Sequence, residues 1–183
     1  MDQIASVDEL FVHELNDLRS AEEQLVTALP LMAASATAAE LRQGFENHLE
    51  QTRVQLERVE EALRLMGERP SGEVCKGMKG LLEEGQKIMN TVERGAVLDA
   101  ALIDAARKVE HYEITTYRAA AARAHELGHD GVAALLQTNL QEEEFADYRL
   151  QELSQGMMPY SGPGADPRDD GSEVLVGTSK TAQ

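Results

Sequence analysis

Residues 15–29 read LNDLRSAEEQLVTAL, and Leu15, Leu18, Leu25 and Leu29 recur at the spacing of one buried helical face. Glu22 occupies the same stripe, where a leucine would be expected. A carboxylate facing a core must be protonated, paired or bound to a metal, because an uncompensated one costs several kcal/mol. Two later stretches carry the same anomaly, at Glu110/Glu113 and at Glu143/Asp147. Three acidic intrusions on three inward-facing stripes predict a site.

The 183 residues suffice for one domain with a substantial core. Aromatic residues make up 4% of the chain and tryptophan is absent, a composition that favours helix over sheet. The net charge of -16 makes nucleic acid and anionic membrane surfaces poor partners and attracts cations. Cys75 is the single cysteine, which excludes an intrachain disulfide and fits a reducing compartment. No apolar run approaches the roughly 20 residues that span a bilayer, and no signal-peptide pattern opens the chain. A soluble, cytoplasmic protein is expected.

Ser6-x-x-Glu9 forms a capping box that starts a first helix near Val7 and carries it past Leu29; Pro30 should kink it, with one further turn to Ala34. A second capping box, Thr37-x-x-Glu40, is expected to open helix two, whose apolar positions run to Met66 before Gly67 and Pro70. Residues 67–96 read as a crossover holding a short helix from Val74 to Val92, weakened by Gly77, Gly80 and Gly85. Helix four spans Leu98 to Leu127 and ends at Gly128; helix five begins at Asp130 and is expected to stop before Gly156. These elements predict an all-α domain over residues 1–156, with residues 157–183 a disordered tail. Two antiparallel hairpins joined by a long crossover with one extra short helix make the connectivity of a ferritin-like four-helix bundle.

Glu22 lies 15 residues before Thr37 and Thr52 lies 15 after it; Glu113 and Glu143 flank Gly128 by the same distance. At 1.5 Å per residue each is about 22 Å from its turn, which places Glu22, the segment His48–Thr52, Glu110/Glu113 and Glu143/Asp147 in one layer. Four carboxylates around two divalent cations are neutral, and carboxylate with imidazole suits iron, manganese or zinc. Glu110-x-x-Glu113 puts both acids on one helix face, so that one can bridge two metals while the other chelates one. Helix two offers two candidates. His48 borders the core, whereas Glu50 has the right height but points mostly away. The expected ligand set is Glu22, His48, Glu50, Glu110, Glu113, Glu143 and Asp147, with Tyr112 and Tyr117 as hydrogen-bond partners of the acids. The alternative is a metal-free helical scaffold in which Arg53, the two tyrosines and shared protons hold the acid cluster.

The segments LFVHELNDLRSAEEQLVTALP (10–30), HLEQTRVQLERVEEAL (48–63), CKGMKGLLEEG (75–85), DAALIDAARKVEHYEITTY (99–117) and LQEEEFADYRLQEL (140–153) resemble the YciF/YciE-type bacterial stress proteins of the ferritin-like superfamily. The resemblance covers residues 5–155 and implies a rubrerythrin-like bundle, a homodimer and a suspected dinuclear site for iron or manganese, with oxygen or peroxide chemistry. Ferritin-like proteins place one Glu on each of two helices and a Glu-x-x-His on each of the other two. Glu22 and Glu110 match the single-Glu positions. At the other two this chain departs from the pattern, with Glu50-x-x-Arg53 on helix two and Glu144-x-x-Asp147, or Glu143 alone, on helix five.

Overall fold

The computed structural model describes residues 3–157, and the expected tail beyond them lies outside the described residues. Five helices make up the described chain: α1 (Val7–Ser35), α2 (Ala39–Leu65), α3 (Lys76–Thr91), α4 (Ala96–Glu126) and α5 (Asp130–Met157). The α1–α2 and α4–α5 hairpins pack side by side, α1 against α4 and α2 against α5, while α3 lies on the α1/α4 side of the bundle. The fold is the expected all-helical bundle.

The helix ends follow local chemistry. Ser6 Oγ accepts the Glu9 amide at 3.1 Å, and Glu9 reaches back to the Ala5 amide at 2.7 Å. Gly67 and Gly128 take left-handed φ values of 77° and 79°, which lets the following amides bond Leu63 and Ala124 carbonyls and close α2 and α4. Gly156 plays no such part; α5 runs through it to Met157, past the expected stop. Helix α1 likewise continues through Pro30 to Ser35.

The Thr37 capping box does not form. Helix α2 starts at Ala39 without a side-chain cap from its own turn. The buried Asp99 carboxylate of α4 takes the Thr37 amide at 2.7 Å and the Ala38 amide at 2.8 Å. A full charge from a neighbouring helix thus displaces the local hydroxyl, because charge-assisted bonds are the stronger ones. This bond also ties the α1–α2 turn to the start of α4.

The core is divided. One apolar cluster holds Leu25, Leu29, Met32, Leu41, Phe45, Met78, Leu98, Leu102, Ile103 and Leu150. The other holds Phe11, Leu15, Leu18, Val59, Leu63, Tyr117, Val132, Leu136 and Leu140. Between them α2 contributes His48, Thr52 and Gln55, α4 contributes Glu110 and Glu113, and α5 contributes Glu143, all buried. The two hairpin turns lie at opposite ends, so positions half a helix from each turn meet in the middle.

Asp99→Ala should destabilise the protein by about 2 kcal/mol, since two partly buried amides lose a charged acceptor. Thr37→Ala should change stability by less than about 0.5 kcal/mol. Urea denaturation of both variants checks this assignment of the cap, and equal losses would contradict it.

Candidate metal centre

One ligand atom from each of His48, Glu110, Glu113 and Glu143 can be chosen so that all four lie within 4.8 Å of one another. His48 Nε2 stands 3.4 Å from Glu110 Oε1 and 3.8 Å from Glu143 Oε2. Glu22, Glu113 and Glu143 are fully enclosed, and Glu110 and His48 are 3% and 8% exposed. Nine buried side-chain atoms in this layer have no hydrogen-bond partner; two are the amide atoms of Gln55, and seven belong to the acids and His48: Glu22 Oε2, His48 Nε2, Glu110 Oε2, and both carboxylate oxygens of Glu113 and of Glu143. Buried polar atoms are nearly always bonded. Seven together, all capable of coordinating a cation, fit a metal: opposed ligands at about 2.1 Å from an ion stand about 4.2 Å apart, close to the spacing seen.

Glu22 joins the layer through a second tie. Tyr117 Oη donates to Glu22 Oε1 and accepts from Asn139 Nδ2 at 3.0 Å. Asn139 also bonds the Gln55 carbonyl at 3.2 Å and accepts from Arg58 at 2.9 Å, and Arg58 in turn reaches Glu142 at 2.7 Å. A hydrogen-bonded chain therefore runs from a half-buried ion pair between α2 and α5 to the acid cluster. It fixes one oxygen of Glu22 and leaves the other free.

The structure brings together Glu22, His48, Glu110, Glu113 and Glu143, and leaves out Glu50 and Asp147. The inward face of α2 runs through Leu41, Phe45, His48, Thr52, Gln55, Val59 and Ala62, alternating steps of +4 and +3. His48 is thus on that face rather than at its border. Glu50 falls on the opposite side, where it pairs with Arg53 at 2.5 Å; its side chain is 68% exposed. Arg53 is equally outward and neutralises no buried acid. Asp147 lies off the α5 stripe and binds Arg107 of α4 at 2.7 Å and His111 at 3.3 Å. Tyr112 also departs from expectation: its hydroxyl meets Cys75 Sγ at 3.0 Å, and its ring packs where a side chain on Gly77 would collide with it. Gln55 and Asn139 escaped the sequence reading, although each continues an inward stripe by a step of three from Thr52 and from Leu136.

The profile of one family, the domain of unknown function DUF892, matches residues 6–160. The chain is 39% identical to protein YciF of Escherichia coli strain K12 over 150 residues, 81% of this chain and 90% of that protein. The crystal structure of that E. coli stress protein superposes with a TM-score of 0.82, covering 84% of this chain and 98% of that one at 37% identity. YcfI from Rhodopseudomonas palustris superposes with a TM-score of 0.78 at 40% identity, over 82% of this chain and 96% of its own. A dodecameric thioferritin from Bacteroides fragilis shares the fold at 17% identity, with a TM-score of 0.65 over 82% of this chain and 87% of its own. The chain belongs to the DUF892 family, and its bundle is ferritin-like.

Burial dominates the electrostatics of the layer. It pushes Glu110 up to about 8, where Glu143 partly offsets the rise, and lifts Glu22, Glu113 and Glu143 well above the usual carboxylate range, with neighbouring acids adding to the rise of those three. Asp147 moves the other way: burial raises it, but the bonds and charges of Arg107 and His111 together outweigh that and lower it. In the metal-free protein the four raised acids hold protons more tightly when folded than when unfolded. The contribution of Glu110 is complete below about pH 4.5 and is lost as the pH rises through about 8, and the other three lose theirs as the pH rises through their own raised values. The melting temperature of metal-free protein should therefore fall by roughly 5–10 °C between pH 5 and pH 9. Glu110→Gln should flatten that slope. Thermal melts across the range test this, and a melting temperature that rises with pH would contradict it.

Proposed function

We propose that the protein binds two divalent iron or manganese ions in the mid-bundle layer, held by His48, Glu110, Glu113, Glu143 and the free oxygen of Glu22. The observation that carries this reading is the set of seven unpartnered, buried coordinating atoms at one level. Four carboxylates carry the charge that two divalent cations cancel, and His48 supplies a neutral nitrogen donor. Tyr117 restrains Glu22 so that only one of its oxygens turns to the ions, while Glu113 and Glu143 keep both oxygens available. Bound there, such a pair would supply electron exchange with oxygen or peroxide. A role in the bacterial stress response belongs to the same reading and is supported by the likeness to the E. coli stress protein; association as a dimer is a further part of the proposal.

One observation favours a competing reading. The raised affinity of all four acids for protons would let protons neutralise the layer, giving a metal-free scaffold. Elemental analysis of untagged protein grown with iron and manganese separates the two. The metal reading predicts close to two ions per chain, reduced to a small residue by Glu110→Ala/Glu113→Ala. It also predicts that added manganese stabilises the metal-free protein by about 3 kcal/mol for each ion bound at a hundredfold excess over its Kd. Metal content near zero, with no thermal shift on adding manganese, is the scaffold's result.

A further inference from the structure

The two sides of the bundle are covered unequally. Helix α3 lies on the α1/α4 side, whereas the α2/α5 side has no covering helix among the described residues. A groove of about 460 Å³ opens there, and its inner wall includes His48 and Glu110 of the acid cluster. Glu110 and His48 are both buried, and His48 Nε2 and Glu110 Oε2 lack partners. The groove thus connects the cluster to solvent, between the same two helices that supply His48 and Glu143.

Its chemistry is specific. Phe45, Phe145, Leu150 and Leu153 form an apolar wall, and Asn47 and Gln51 add uncharged amides. The one cation on the lining, Arg149, is paired with Glu152 at 3.0 Å, and Glu40 adds a negative charge. An anionic ligand has no free partner here, and the net charge of -16 repels it further. The volume lies within the roughly 300–1,000 Å³ of small-molecule pockets, whereas two oxygen atoms need on the order of 60 Å³, about two waters. Phe145 is 59% exposed at the rim, an aromatic surface that an apolar body would cover.

We propose that this groove binds an uncharged organic hydroperoxide, with its apolar body against Phe45 and Phe145 and its O–O group at the His48–Glu110 edge. The inference deepens the metal reading and rests on it for the chemistry. Breaking the O–O bond takes two electrons, which two divalent ions held by the acid cluster would supply in becoming trivalent, and two protons. One oxygen leaves in the alcohol and the other in water.

Gly44 provides the test. It lines the groove from α2, and a Cβ added there would meet no atom within 4 Å. Gly44→Phe therefore fills the groove from a helical position that tolerates a side chain. Metal-free protein titrated calorimetrically with 2-phenyl-2-propanol, the unreactive alcohol product of cumene hydroperoxide, should bind one equivalent saturably. Gly44→Phe should weaken that binding at least tenfold, with melting temperature and manganese content as controls of folding. In protein loaded with divalent iron, the same variant should lower the ratio of the single-turnover rates of metal oxidation by cumene hydroperoxide and by hydrogen peroxide at least tenfold. Metal present without alcohol binding, or equal binding by the variant, overturns the groove assignment alone. Alcohol binding by a protein that takes up neither iron nor manganese when these are supplied overturns the metal reading and the hydroperoxide step, and leaves the groove as an organic-ligand site. If a second copy of the chain covers the groove, no alcohol binds and Gly44→Phe changes the oligomeric state, which also overturns the proposal.

Discussion

Four carboxylates enclosed in one layer cannot all stay ionised without a counter-charge, and the architecture is organised around that constraint. A well-packed apolar layer would have been the more stable choice at the same positions, since removing ions from water costs several kcal/mol each. Instead the acids divide the core into two apolar halves, one at each end of the bundle. Each half packs separately around large side chains: Phe11, Leu15 and Leu136 at one end, Leu41, Met78 and Leu102 at the other. The halves hold the helices in register, and the register brings Glu22, Glu110, Glu113 and Glu143 to one height.

The distribution of cationic side chains is informative. Acids at the edges of the layer have their own partners: Asp147 has Arg107, Glu142 has Arg58, Glu144 has Arg118 and Glu50 has Arg53. Among the described residues, the central acids pair with no Arg or Lys, and His48 alone stands within salt-bridge distance of them. The run Glu142–Glu144 shows the contrast within three residues. The outer two carboxylates reach arginines, and the inner one has both oxygens unbonded. A fold that supplied arginines at every flank and none at the centre leaves room there for protons or for metal ions.

Much of this was legible in the sequence. Leucines at fixed spacing on either side of Glu22 fixed its direction, and the equal distances of Glu22, Glu113 and Glu143 from their turns fixed their height. Helix α2 was harder, because its central stripe is polar: His48, Thr52 and Gln55 interrupt the apolar pattern that would have marked the face. Glu50 and Asp147 were misplaced because spacing gives height within a turn, while small rotations and a competing arginine decide which side chain points inward. The α2 cap was not legible at all. Asp99 lies more than sixty residues from the amides it binds, and nothing local distinguishes it from Thr37 as the cap.

The account stands on inward-facing donors that meet at one point, and diffraction can observe that point directly. Crystals grown from manganese-loaded protein, measured on either side of the manganese absorption edge, should show anomalous density for two ions between His48, Glu110, Glu113 and Glu143, beside Glu22. Density confined to the surface, or an ordered core in which these carboxylates are bridged by hydrogen bonds alone, would contradict it.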